Sequence, residues 1–355
     1  MTHHHWQTFL TTRGAHWSGQ RVDYFGDEPQ NTIAEKHAAL QGGSVIMCDL
    51  SHYGLIRAEG PESADFLQNQ LCNDVREVTP LHSQYNGYCT PKGRALAFFR
   101  LFQRDDDYYL RLPREILEPV LKRLRMFVLM SKTELGDASD QLIRIGVAGP
   151  DAGRQLSALM GETPNEVNAV YHSGDLSIIC LQPGSRFEVY GPDEAMQHLW
   201  QQLEETVAPV GAGAWELLDI HAGLPEVYAQ TQEAFVPQML NLQAIDALSF
   251  KKGCYPGQEI VARMHYLGKL KRRMYLAHIE EDIPVQPGDT LYAESSASGQ
   301  GVGKVVRAQS NPDGGVDLLA VIEISSAEQG SLRLHDANGP MLQLQALPYD
   351  IEQPQ

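Results

Sequence analysis

The chain has 355 residues, 43% of them hydrophobic, and a formal charge of −17 at pH 7. That apolar content supports two or three domains with cores of their own and excludes a disordered chain. The charge opposes general affinity for nucleic acid, and without a run of about eighteen apolar residues no membrane-spanning helix is expected.

The start, Met1-Thr2-His3-His4-His5-Trp6, lacks the apolar stretch of a signal peptide and reads as a solvated terminus. Five scattered cysteines make no disulfide framework, so the cytoplasm, where thiols stay reduced, is the expected compartment. Residues 1–42 are polar and broken by Gly14, Gly19, Gly26 and Pro29; they are expected to form an extension with one short helix over 33–40. The folded body begins at 44–50, and 53–58 predicts a strand. Gly60-Pro61-Glu62 then opens a helix to about residue 71, Pro61 suiting the first turn and Glu62 the positive helix end. Asn73 and Asp74 suit a cap, a turn or a ligand contact. Asn86-Gly87 signals a turn between strands, and Pro91-Lys92-Gly93-Arg94 is a basic turn. Strands over 96–101 and 108–112 flank Asp105-Asp106-Asp107, read as an exposed hairpin end because adjacent carboxylates on a strand do not point at one centre. Residues 114–126 read as a helix compromised by Pro119.

Strand 142–148 leads through Gly149-Pro150-Asp151 into a helix ending near 160. Strands 176–181 and 186–190 pair around Gln182-Pro183-Gly184, and Gly191-Pro192-Asp193 opens a helix to about 205. Strand, Gly-Pro-acid and helix thus recur three times, which suggests repeated α+β units without proving duplication. The Gly-rich stretch 209–214 reads as a linker, and 215–223 as a helix ending at Gly223-Leu224-Pro225. Beyond Lys269 the pattern alternates, with breaks at Pro287-Gly288-Asp289 and Asn311-Pro312-Asp313-Gly314-Gly315, and predicts an antiparallel barrel or sandwich after a boundary near 268.

One stretch stands apart: Phe250-Lys251-Lys252-Gly253-Cys254-Tyr255-Pro256-Gly257-Gln258-Glu259. Two glycines permit sharp turns, Pro256 fixes its φ, and two lysines precede the cysteine. Cys254 reads as a functional thiol whose pKa the lysines lower, as a structural turn cysteine, or as a metal ligand. Residues 251–273 hold seven Lys or Arg against Glu259 alone, a local excess of +6. This basic stretch suits an anionic ligand or partner, or else is a solvated charge run. Other motifs fail. Gly-Gln-Gly-Val-Gly-Lys at 299–304 has the wrong spacing for a phosphate loop and Val305 in place of the magnesium hydroxyl, so a β-turn is expected. His265 lacks an obvious carboxylate to orient it, and His221 reads as a helix-face residue. Cys48, Cys72, Cys89 and Cys180 lack metal-ligand spacing, and no metal site is expected.

The segment 235–244 (Phe-Val-Pro-Gln-Met-Leu-Asn-Leu-Gln-Ala), the Lys-Gly-Cys-Tyr-Pro-Gly-Gln-Glu run and Val261-Ala262-Arg263 resemble the YgfZ folate-binding proteins, relatives of the glycine-cleavage aminomethyltransferase. Residues 67–75, Pro91-Lys92-Gly93-Arg94 and 216–225 support the resemblance, which runs over about 46–307 and leaves 1–42 without a counterpart. It implies an α+β, three-domain aminomethyltransferase-like fold. A discontinuous folate-binding domain would comprise 43–140 and 209–267, with an α+β domain inserted at 141–208 and a C-terminal β-barrel at 268–355. It also implies a cofactor, tetrahydrofolate or a related reduced folate. Asn73, Asp74, Gln238 and Asn241 would lie near it, with Arg263 or Lys92 near its carboxylate end. Cys254 corresponds to the family's functional cysteine. The implied partners are iron–sulfur enzymes or their assembly proteins, including enzymes that thiolate tRNA, served by a monomer without direct tRNA contact. The aminomethyltransferase carries paired aspartates where Leu96 and Ala97 stand here, and neither of these moves a proton. Folate binding is therefore compatible with loss of aminomethyl transfer, and the enzyme label stays open.

Overall fold

Gly-Pro-acid segments end strands and start helices in the computed structural model, which describes residues 2–294 and 301–351. Strand Ile143–Ala148 passes through Gly149 into helix Ala152–Met160, and strand Arg186–Gly191 leads into helix Asp193–Leu203. Gly149 takes φ 134°, and a Cβ there would lie 2.4 Å from the Ser44 carbonyl oxygen, so only glycine makes this exit. Strand Tyr53–Glu59 likewise precedes helix Ser63–Gln68, shorter than expected.

Two units emerge. The first comprises Met1–Ser63, Arg76–Gln84 and Arg100–Leu218; the second comprises Ala64–Val75, Tyr85–Phe99 and Asp219–Gln355. In the first, a six-stranded sheet has the order Val170–Ser173, Leu176–Gln182, Arg186–Gly191, Ile143–Ala148, Ile46–Asp49, Ala208–Val210. Its neighbours are antiparallel except the last pair, where Ile46 to Cys48 run parallel to Ala208 to Val210. Ile143, Ile145 and Val147 alternate onto one face and pack with Leu156, Leu199 and Trp200. A second sheet pairs residues 100–104 with Asp107–Pro113, which pairs with Tyr53–Glu59 and so with Glu134–Asp137.

Several expectations are corrected here. Residues 1–42 are no extension: helix Thr2–Thr11, the pair Ala15–Ser18 with Arg21–Phe25, and helix Asn31–Gln41 belong to the first unit. Trp6, Phe9 and Leu10 join the same core as Trp200, and Trp6 Nε1 donates a 2.7 Å hydrogen bond to buried Asp49. Three apolar residues at helical spacing suffice in a polar setting, because only one face is covered. The supposed linker contributes the parallel edge strand Ala208–Val210. The segment 141–208 is not a separate insert, since its strands share a sheet with Ile46–Asp49. Pro119 does not break helix Arg114–Arg125, whose face of Ile116, Leu117, Val120, Leu121 and Leu124 is buried. Asn86 and Gly87 lie inside strand Gln84–Cys89 rather than at a turn.

In the second unit a six-stranded antiparallel sheet runs Leu332–Leu334, Thr290–Ala293, Gly303–Ser310, Val316–Glu323, Arg272–Ile279, Gln343–Gln345. Its edges are three-residue strands, and among the described residues only an isolated bridge, Arg333 with Met341 just ahead of the last strand, links them, with no ladder between the two edges, so it is an open half-barrel and not the closed barrel expected. Alternation reports a strand with one buried face; closure depends on strand number and stagger, which alternation does not encode. Of the glycine-rich stretch 299–304, residues 299–300 lie outside the described part, and Gly303 starts a strand. Among the described residues no helix is long and apolar enough to cross a membrane.

Candidate functional site around the Cys254 loop

The second unit contains all seven residues singled out from the sequence: Asn73, Asp74, Lys92, Gln238, Asn241, Cys254 and Arg263. Two single-turn helices, Pro237–Leu240 and Leu242–Ile245, meet at Asn241, which takes φ 57°. Asparagine is among the few residues that tolerate this left-handed backbone. The chain then passes through the Cys254 loop into helix Gln258–Tyr266. Gly257, at φ 88°, makes the entry possible: a Cβ there would sit 2.5 Å from the Thr90 carbonyl oxygen and 2.8 Å from Gly93. Gly93 in turn lies against Ile260, so the turn bearing Lys92 packs on the helix bearing Arg263. Both cations are exposed.

Cys254 is exposed, whereas its neighbours Lys252 and Tyr255 are buried. Lys252 has a structural role that the sequence did not suggest. Its Nζ donates to the carbonyl oxygens of Gln68 (2.6 Å), Leu71 (2.6 Å) and Asn73 (3.0 Å). An ammonium there caps the carbonyl end of helix Ser63–Gln68 and fastens the loop to it. Gln258 Nε2 adds bonds to the carbonyl oxygens of Lys252 (3.2 Å) and Gly253 (3.3 Å). This clamp was missed because its acceptors lie about 180 positions earlier in the chain and carbonyl groups leave no trace in a side-chain pattern.

Asn73 also has a structural office. Its Nδ2 donates to the carbonyl oxygens of Tyr85 (3.2 Å) and Asp246 (2.6 Å), its Oδ1 accepts from Asp74 N, and its own N–H donates to Asn86 Oδ1. Asp74 is half-buried and accepts from Gln68 Nε2 at 2.9 Å. Gln238 and Asn241 differ. Gln238 Nε2 donates to the Val261 carbonyl oxygen at 2.7 Å, and Asn241 Nδ2 to that of Met274 at 3.0 Å. Their oxygens, Gln238 Oε1 and Asn241 Oδ1, have no hydrogen-bond partner, although the residues are only 5% and 1% exposed. The buried Tyr255 hydroxyl is also without a partner. Buried polar atoms are nearly always paired, so such a group calls for an explanation.

His221 ends helix Ala212–His221, as read in sequence. His265 stacks on Phe250, with ring centroids 3.8 Å apart. His221 Nε2 and His278 Nδ1 each donate at 2.7 Å to Asp317, which also accepts from Asn311 Nδ2 at 2.8 Å. Burial by itself pushes the Asp317 carboxyl up, but these three donors hold it below its usual range. Leu96 and Ala97 are both buried on strand Ala95–Arg104.

The fold is that of an aminomethyltransferase. Glycine cleavage system aminomethyltransferase T from Bartonella henselae superposes with a TM-score of 0.75 over 96% of each chain, at 17% identity. Residues 3–181 match the GCVT N-terminal domain, so the first 42 residues are not without counterpart. The tRNA-modifying protein YgfZ of Colwellia psychrerythraea is 30% identical over 308 residues, 86% of this chain and 93% of that protein. Its namesake in Photorhabdus laumondii is 31% identical over 312 residues, covering 87% and 94%. The chain belongs to the YgfZ family.

Proposed function

We propose that this protein binds tetrahydrofolate, or a related reduced folate, in its second unit and supports the maturation or repair of iron–sulfur enzymes, including those that modify tRNA, with Cys254 as the functional thiol. The observation that carries the folate reading is the pair of buried, unpartnered oxygens on Gln238 and Asn241. A pterin edge presents N–H donors, and two fixed acceptors fit them. The exposed cations Lys92 and Arg263, on packed elements, suit the carboxylates of the glutamate tail. Asn73 acts as a positioning residue: it organises the backbone beside Lys252 and leaves Asp74 as the polar group at that turn.

When bound, a reduced folate supplies amines that carry one-carbon units. This chain's part is to orient the ring through Gln238 and Asn241, attract the tail through Lys92 and Arg263, and present the Cys254 sulfur on a clamped loop. As a thiolate it can hold a persulfide, bridge to a partner cysteine, or ligate a cluster in passing. Leu96 and Ala97 argue against aminomethyl transfer, because neither can hold a proton. The expected partners are iron–sulfur enzymes or their assembly proteins, met in the cytoplasm by a monomer that makes no direct tRNA contact.

Calorimetry with tetrahydrofolate tests the ligand. Binding should weaken roughly 5- to 150-fold in Gln238→Leu, as expected for a lost buried hydrogen bond of about 1–3 kcal/mol. No heat and no thermal shift at near-millimolar ligand would reject the folate reading. Complementation of a deletion strain tests the thiol: Cys254→Ala and Cys254→Ser should both be normally abundant and both fail to restore tRNA thiolation.

A further inference from the structure

We propose that Cys72 and Cys89 form an oxidisable dithiol, which a small peroxide converts into an intramolecular disulfide behind the Cys254 loop. The two Sγ atoms lie 3.3 Å apart, and the residues are 0% and 1% exposed. A disulfide needs about 2.05 Å, so the sulfurs must close by little more than an ångström. Local pairing already holds the two segments together: Cys72 N donates to the Gly87 carbonyl oxygen at 2.9 Å, and Leu71 bridges Tyr88. Of the other cysteines, Cys48 and Cys180 belong to the first unit and Cys254 is exposed.

A second observation points to chemistry at this pair. Tyr255, next in sequence to Cys254, packs in the same cluster as both thiols, and its buried hydroxyl has no partner. Burial first, and the neighbouring thiols second, keep that phenol protonated. It is an unmet donor in that cluster, of the kind the oxygen of a sulfenic acid would take.

The steps balance. One thiol sulfur attacks the peroxide O–O bond, is oxidised by two electrons to a sulfenic acid, and releases one water. The second thiol sulfur then attacks the sulfenic sulfur; the S–O bond breaks, the S–S bond forms, and a second water leaves. Hydrogen peroxide is reduced to two waters in all. The hydrogen bond it shares with Cys72, and then burial, push the Cys89 thiol well up, so the reaction is slow and waits on local opening.

The pair is wired to the loop. Lys252 bonds to the carbonyl oxygens of Leu71 and Asn73, on either side of Cys72, and Ser249 N donates to that of Cys72 at 3.2 Å. Pulling Cys72 toward Cys89 shifts the acceptors that hold the loop, and Cys254 becomes more reactive.

Purified protein with Cys254→Ala is treated with hydrogen peroxide, digested without reduction and mapped by mass spectrometry; the wild-type chain is assayed in parallel for the rate of Cys254 alkylation by iodoacetamide. A linked pair of peptides holding Cys72 and Cys89, lost on dithiothreitol treatment, is expected. After removal of peroxide, the wild-type Cys254 that remains as a thiol should alkylate with a rate constant about twofold higher or more, and this gain should be absent in Cys89→Ala. Cys72 and Cys89 recovered as free thiols or as unlinked sulfinic acids would overturn the proposal, as would a linked pair that leaves Cys254 alkylation unchanged. Neither readout involves folate, so failure here is distinct from failure of the folate reading.

Discussion

Arg144 in the first unit, and Gln238 with Asn241 in the second, all bury polar side chains among backbone carbonyls, and they differ in what is left over. Arg144 donates through Nε to the carbonyl oxygens of Leu50 and Tyr53, through Nη1 to those of Ser139 and Leu142, and through Nη2 to that of Ser51. Burial lowers its pKa to about 10, with Asp49 opposing the shift, so it remains charged at neutral pH. Each of its nitrogens is engaged by the chain itself. Gln238 and Asn241 engage only their amide nitrogens and keep their oxygens in reserve. A side chain whose bonds the fold completes is part of the architecture; one completed by half keeps a buried acceptor unmet, which is what the folate proposal rests on.

The largest effect should come from removing the closed hub. Arg144→Met takes a donor from each of five buried carbonyl groups, of which that of Leu50 keeps Tyr53 N, and should cost about 4 kcal/mol or more, enough to deplete soluble protein. Arg144→Lys should be little better, because a single ammonium cannot reproduce the planar fork. Urea unfolding of whatever is soluble measures both. A loss under about 1 kcal/mol would mean that Arg144 is not the hub its geometry indicates.

Next comes Lys252, which stands between the two cases: its bonds are met by the chain, yet they hold the loop that bears the exposed Cys254. Lys252→Met should destabilise by roughly 3 kcal/mol and speed hydrogen exchange over 249–257 ahead of the rest of the unit. Uniform exchange across the unit would deny the clamp its local role.

What the sequence revealed follows the same division. The Gly-Pro-acid exits at Gly149 and Gly191 were readable because strand, breaker and helix are adjacent in the chain. That Cys254 lies exposed on a loop was readable because its glycines and lysines surround it within ten positions. The N-terminal helix was not, since Trp6, Phe9 and Leu10 sit among histidines and threonines and their partner Trp200 is far along the chain. The parallel pairing of Ala208–Val210 with Ile46–Asp49 and the clamp on Lys252 were hidden for the same reason. Gln238 and Asn241 were found through a family resemblance, and only the structure distinguishes their bonded nitrogens from their unbonded oxygens.

A smaller, pH-dependent effect separates another completed site. The Asp317 carboxyl is held below its ordinary value, near 3.9 in an unfolded chain, by donors from His221, His278 and Asn311. Because the folded pKa is depressed, its stabilisation is full above about pH 4 and is lost as the pH falls through the folded value. Asp317→Asn should cost about 2 kcal/mol at pH 7, and the two chains should converge in stability on acidification below about pH 4. Parallel acid-titration curves would show that the carboxylate contributes no charge-dependent stability.

The smallest effect is the sharpest test of the comparison, because it asks what an unmet group is worth. The Tyr255 hydroxyl is buried and has no partner, while its ring packs near Cys72 and Cys89 and lies 5.3 Å from Lys252 Nζ. Tyr255→Phe keeps the ring, the packing and the cation–π contact and deletes only the hydroxyl. In a completed site such a deletion costs about 1 kcal/mol or more, because a partner is left behind. Here nothing is left behind, so stability should be unchanged or rise by up to about 1 kcal/mol, measured by urea unfolding of the reduced protein. A loss above about 1 kcal/mol would place Tyr255 with Arg144 among the completed sites and would remove the donor assigned to the Cys72 and Cys89 pair. If stability holds while the peroxide-induced link between those cysteines slows, the hydroxyl belongs to the chemistry and not to the fold.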